Sequence, residues 1–168
     1  MIRLSRLIPL LALCAGAANA ADLTLNVEIP QIAVAEYHRP YVAIWIEGQD
    51  QAIAANLAVW YQVRGDHTKW LPDLRQWWRR GGRDLKVPVD GLTGATRPVG
   101  QHSLKFDAAQ APLAGLKPGQ YSLVVEAVRE VGGREALRIP FEWPIKKAKS
   151  ESAKGTKELG AVALTLNP

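Results

Sequence analysis

One short run places hydroxyl, carboxylate and glycine close together: Asp90-Gly91-Leu92-Thr93-Gly94-Ala95-Thr96. A threonine hydroxyl such as that of Thr96 is a weak nucleophile that does no chemistry unaided. Gly94 would let the backbone bend and come close, Ala95 adds little bulk, and Asp90 and Thr93 offer polar groups. The same residues have a plainer meaning as a turn, because Asp-Gly and Thr-Gly are ordinary turn pairs and Arg97-Pro98 prolongs a loop.

The run has the form Asp-x-x-Ser/Thr-Gly-Ala-Thr, which a chain of this length meets by chance on the order of one time in a thousand or less. It resembles the acceptor sequence of the flavin transferases that move FMN from FAD onto a threonine of extracytoplasmic proteins, such as the FMN-carrying subunits of the sodium-pumping NADH:quinone oxidoreductase. The resemblance implies covalent FMN on Thr96 through a phosphoester bond, with Asp90, Thr93, Gly94 and Ala95 read by the transferase. Those subunits have a different fold around their threonine, so their flavin pocket does not carry over.

A flavin ring needs a flat apolar or aromatic surface, and a phosphodiester prefers guanidinium groups or a helix N-terminus. The segment before the run holds Trp60, Tyr61, Trp70, Trp77 and Trp78 for stacking, and Arg75, Arg79, Arg80 and Arg97 for charge. Trp45 and Trp60 lie in apolar strands and read as core. Trp77 and Trp78 are adjacent, so one helix face cannot bury both, which leaves one of them, such as Trp78, for a surface or pocket. Arg75 and Arg97 are the candidates for the phosphate; a solvated helix face is the simpler role for such arginines.

Little else suggests chemistry. His38, His67 and His102 have no metal-ligand spacing, and Asp73 and Asp107 have no paired carboxylate. A Gly-x-Ser-x-Gly elbow and a phosphate loop are both missing from the sequence, so an autonomous hydrolase is not expected.

Arg3 and Arg6, an apolar stretch from Leu7 to about Ala18, and Ala18-Asn19-Ala20 together form a secretory signal with a small-x-small cleavage site. Cleavage after Ala20 would leave a periplasmic chain without a membrane span, since the apolar stretch is too short for one. Cys14, the single cysteine, goes with the signal. Loss of Arg3 and Arg6 lowers the formal charge from +5 to +3, a mild excess partly owed to Lys146, Lys147, Lys149, Lys154 and Lys157. Nucleic-acid binding is not expected from that balance.

Residues 21–168 are long enough for one domain. Alternation predicts strands over Leu23–Ile29, His102–Asp107 and Leu159–Leu166, and apolar runs predict others over Tyr41–Glu47, Leu57–Val63 and Gly119–Arg129. Gly132-Gly133 turns the chain into a strand from Arg134 to Glu142. Pro72, with Leu71, Leu74 and Trp78 at helical spacing, predicts a short helix within Lys69–Arg80, closed by Gly81-Gly82. Residues 146–157 read as a charged linker or hairpin loop. Phe106-Asp107 and Lys117-Pro118-Gly119-Gln120-Tyr121 resemble the immunoglobulin-like repeat of the flagellar hook-capping family. The expected fold is all-β: an antiparallel immunoglobulin-like β-sandwich with a short Trp/Arg-rich helical insertion.

Taken together, Tyr41–Glu47, Trp60-Tyr61, Trp70–Trp78, Thr93–Pro98 and Gly119-Gln120-Tyr121 make the chain similar to a family of predicted periplasmic proteins known only as domain of unknown function 2271. Its members are often encoded near PepSY-type membrane proteins and flavin transferases, which implies electron transfer across the envelope. Two functions are expected from different classes. One is an FMN-carrying redox protein; the other is a cofactor-free binding or scaffold module for an envelope or membrane partner.

Overall fold

Strands with apolar residues at every second position bury one face, and strands apolar throughout must be covered on both. Both kinds occur in the computed structural model, which describes residues 21–168; the signal read from residues 1–20 lies outside them. A four-stranded sheet holds the alternating strands β1 (Asp22–Ile29), β5 (Gly100–Asp107) and β9 (Ala161–Asn167), with β8 (Lys149–Lys154) at its edge, in the order β5-β1-β9-β8. Leu23, Leu25, Val27 and Ile29 face inward, opposite Val162, Leu164 and Leu166. The second sheet has the order β4-β3-β2-β6-β7, from β2 (Tyr41–Glu47), β3 (Ile53–Tyr61), β4 (Thr93–Ala95), β6 (Gly119–Val128) and β7 (Arg134–Trp143). Between the sheets lies a core that includes Ile44, Trp60, Leu123, Val125 and Phe141. The fold is therefore an all-β sandwich of two sheets.

The central strands of the larger sheet are covered on their outer side by the Trp/Arg insertion. A 3-10 helix over Thr68–Asp73 is followed by helix α1 (Arg75–Arg80), with the break at Leu74. Leu71, Leu74 and Trp77 are buried against Ala43, Trp45, Val59, Tyr61 and Val124. Their spacing of three residues suits the tighter 3-10 geometry, in which side chains at i and i+3 align. The apolar register thus uses Trp77 where the helical reading had Trp78. Trp77 also donates its indole N–H to Asn56 Oδ1 at 2.9 Å.

Two buried carboxylates hold α1 at its ends. Glu126 of β6, fully buried, accepts the backbone N–H groups of Gln76 (3.0 Å) and Trp77 (2.9 Å) at the start of the helix. Glu47 of β2 accepts Arg80 from the last turn and Arg138 Nε at 2.9 Å. A negative group at the first turn and a positive one at the last both complement the helix dipole.

Three sequence expectations change. β3 starts at Ile53 and ends at Tyr61, earlier than the predicted strand. The charged stretch 146–157 contains the edge strand β8, where exposed Lys149 and Lys154 suit a sheet edge that must not recruit another chain. The run from Asp90 to Thr96 is not all loop: β4 pairs with β3 in parallel, the one parallel pairing of this sheet.

The turn from β8 to β9 is held by Glu135 of β7, which accepts the backbone N–H groups of Thr156, Lys157, Glu158 and Leu159 at 2.8–3.0 Å. Burial pushes this carboxyl up, but the four donors together outweigh it, so its pKa lies below the ordinary 4.5. A carboxylate depressed by folding contributes stability that is fully present above the unfolded pKa and lost as pH falls through the folded one. Glu135→Gln should therefore show a shallower loss of stability than wild type below pH 4.5, measured by urea unfolding across a pH series.

Candidate functional site: a groove at one end of the five-stranded sheet

The register brings five strand ends into one row. Gly94 of β4 lies opposite Trp60 of β3, Trp60 opposite Val42 of β2, Tyr41 opposite Val128 of β6, and Val128 opposite Arg134 of β7. Thr96 leaves the end of β4 and donates its N–H to Tyr61 O at 3.1 Å. The residue is half-buried, outside the core between the sheets.

Along this row runs a groove of about 880 Å3, within the range of roughly 300–1,000 Å3 that small-molecule sites occupy. Tyr41 and Val128 belong to its floor strands, Trp70 and Arg75 come from the insertion, and Tyr37 and Arg129 from the loops beside β2 and β6; Thr96 is on its lining. Tyr41 is fixed by its hydroxyl, which donates to His67 O at 3.3 Å, and by an edge contact with Tyr61, ring centroids 6.4 Å apart. Burial pushes the Tyr41 and Tyr37 hydroxyls above the usual tyrosine pKa, so both remain donors at neutral pH.

The groove is basic. Arg39, Arg75, Arg129 and Arg134 line it against Asp73 and Glu130. Arg129 is paired with buried Glu158, and Arg134 lies 3.9 Å from Glu126. Among the described residues Arg39 and Arg75 have no carboxylate partner within ion-pair distance, which leaves their charge for a ligand.

From Asp22 to Ala161 the sequence matches the model of a family described as predicted periplasmic protein, DUF2271. The chain belongs to the DUF2271 family. A periplasmic location agrees with the export signal read from residues 1–20, and among the described residues no helix is long and apolar enough to cross a membrane. No curated protein and no solved structure matches the chain. The DUF2271 match takes in every residue that lines the groove.

Within this DUF2271 domain the residues singled out from sequence divide between two hollows. Thr96 and Arg75 share the large groove, with Trp70 and Tyr41 beside them. Thr93, Gly94 and Arg97 line a smaller hollow of about 300 Å3 on the other side of β4, where the Arg97 guanidinium lies 5.2 Å from the Trp60 ring centroid. Asp90 and Ala95 are exposed. Trp78 is half-buried against the outer core and lines neither hollow, so Trp70, 46 % exposed, is the tryptophan of the groove.

Two residues of the run have local roles that sequence did not indicate. Thr93 Oγ1 donates to Val89 O at 2.9 Å and accepts Val89 N–H at 3.0 Å, closing the turn in which Gly91 adopts φ +73°. Gly94 sits in an extended strand, where an added Cβ would meet only Trp60 Cδ1 at 3.7 Å and Arg97 Nη2 at 3.9 Å. The backbone bend expected of Gly94 is thus not needed by the fold, because strand pairing with β3 sets its conformation.

Sequence reasoning missed Tyr37, Arg129 and Arg134. The one available signal was Arg129, a charge directly after the apolar run 123–128 and before Gly132-Gly133. A charge at a strand end commonly marks only the exit to solvent, yet Arg129 is buried.

Proposed function

We propose that this chain is a periplasmic electron-transfer protein that carries FMN covalently on Thr96, attached by a flavin transferase. The observation that carries the proposal is the position of Thr96, the last residue of the acceptor pattern: only half-buried, and on a groove with aromatic and guanidinium walls. In the attachment, Thr96 Oγ1 bonds to the FMN phosphorus of FAD, the phosphoanhydride bond to the adenylate breaks, AMP leaves with the electron pair, and the hydroxyl proton passes to the transferase's base. The edge position of β4, with β3 on one side only, suits a segment that must be reached by another protein.

The residues present fit the group. Arg75 offers an unpaired guanidinium for the phosphodiester, while Tyr41 and Trp70 offer aromatic surface. Bound FMN supplies electron-transfer chemistry that no side chain here has. The protein's own part is to tether it, exclude water from its ring with Tyr41 and Trp70, and counter its phosphate charge. A membrane redox protein of PepSY type is the proposed exchange partner.

A second reading, a cofactor-free binding or scaffold module for an envelope partner, is favoured by the apolar groups on the groove's rim: Trp70 at 46 % and Val131 at 85 % exposure. Co-expression with a flavin transferase, followed by intact mass, separates the two. The expected result is the mass of one added FMN in wild type and none in Thr96→Ala; an unmodified wild-type chain would leave only the scaffold.

A further inference from the structure

Among the described residues the large apolar side chains that stay exposed are Val34, Val63, Trp70, Val99 and Val131, between 38 and 85 % accessible. Strand directions put all five at one end of the sandwich. β3 and β4 run parallel and end there, β2 starts there beside the last residue of β6, and β1 ends there beside the first residue of β5. Val34 lies in the β1–β2 connection, Val63 and Trp70 follow β3, Val99 lies between β4 and β5, and Val131 is in the β6–β7 turn. The connections at the opposite end, 48–52, 108–118 and 144–148, carry none. Single exposed apolar residues are ordinary anywhere on a surface; their segregation to one end is not.

The fold does not ask for Val131. It is the most exposed of the five and has φ +50°, a left-handed conformation that β-branched side chains rarely adopt and that asparagine or glycine takes more readily. At 85 % exposure the side chain gains almost no burial to offset that strain. Positive charge lies at the same end. Arg39, Arg64 and Arg75 are exposed and have no carboxylate within ion-pair distance among the described residues. Of the acids in these connections, Glu36 and Glu130 face His38 and Asp66 faces Lys69, which leaves Asp73 against three arginines. Lys69 Nζ also lies 5.6 Å from the Trp70 ring centroid.

We propose that this end of the sandwich docks on the surface of an anionic phospholipid membrane, with Trp70 and the valines entering the headgroup layer and Arg39, Arg64 and Arg75 facing lipid phosphates. A tryptophan beside cations suits the boundary between headgroups and acyl chains. Apolar groups on separate loop tips suit a deformable lipid layer, whereas a protein partner needs one continuous surface with a well-packed centre. Trp70 and Val131 both line the groove that holds Thr96, so docking turns that groove toward the bilayer. The inference does not depend on any group attached to Thr96.

The test floats the exported chain through a density gradient with vesicles of phosphatidylcholine alone, or of equal parts phosphatidylcholine and phosphatidylglycerol. Wild type should float with the anionic vesicles and stay behind with the neutral ones. Val131→Asn should keep or raise the urea midpoint of wild type yet partition about threefold less, and addition of Trp70→Ser should bring the loss to on the order of 30-fold. Arg64→Gln should lower partitioning about fivefold. Both valine and arginine positions are exposed, so neither change touches the core. Flotation of all variants equal to wild type overturns the assignment to this end, and equal flotation with both lipid compositions overturns the part given to the arginines. Wild type that floats with neither overturns the proposal. Flotation only with vesicles that hold a reconstituted PepSY-type membrane protein overturns it too, and gives the surface to a protein partner.

Discussion

Gly94→Ala should leave the protein as stable as wild type while slowing FMN attachment to Thr96 by on the order of 100-fold. The fold does not need glycine at this position: the backbone is extended, and a methyl group would have ordinary contacts at 3.7 and 3.9 Å. Alanine also restricts the unfolded chain, which by itself adds about 0.4–1 kcal/mol of stability where the native conformation tolerates it. Other glycines differ. A Cβ on Gly82 would lie 2.5 Å from the Trp77 ring, and one on Gly155 would lie 2.3 Å from Leu159 O, so those positions are dictated by packing. Under the proposed function, a visiting active site that closes over β4 would place its own requirement on Gly94. An added methyl group there displaces the hydroxyl two residues on from its reacting position. Thermal melting together with a time course of intact mass in the presence of transferase and FAD reads both quantities. Equal labelling rates in wild type and Gly94→Ala would remove the idea that the transferase recognises this glycine.

Glu126→Ala is expected to lose about 3 kcal/mol of stability or more, and to disorder the wall of the groove that carries Arg75. Glu126 is fully buried and accepts two backbone N–H groups at the start of α1; hydrogen bonds to a charged group are worth about 1.5–3 kcal/mol, and removal of the acceptor leaves the donors unpaired. A helix of six residues cannot sustain itself in water. It is kept by Glu126 at one end, Glu47 at the other, and by Trp77 beneath. Glu126→Gln retains one oxygen acceptor and should lose less. Urea unfolding measures the difference as a shift in midpoint at constant slope. A change under about 0.5 kcal/mol for the alanine variant would show that burial of Trp77 alone holds the insertion.

The two carboxylates that fasten α1 explain why the insertion was only half legible. Leu71, Leu74 and Pro72 predicted a helix, and a helical turn is there, but the choice of Trp77 over Trp78 depends on Asn56 and on the underside of β2, β3 and β6. Glu126 lies in an apolar run where nothing local reveals that its partners are backbone groups 49 and 50 residues away. The groove was less legible still. Thr96 and Arg75 were visible as chemistry-bearing residues; Tyr37, Arg129 and Arg134 were not, because each becomes a wall of the groove only through strand pairing with distant segments.

Local pattern alone was enough for the periplasmic expectation, the β-sandwich class, and the inward faces of β1 and β9. These depend on composition, a period of two, and neighbouring residue types, all of which are properties of short stretches of chain. Whether Thr96 opens onto a groove or onto bare solvent, which tryptophan is buried, and which arginine keeps an unpaired donor were decided by tertiary structure. Each turns on groups far apart in sequence that meet only when both sheets and the insertion are assembled. A buried polar atom's partners, unlike its residue type, are a matter of three-dimensional packing.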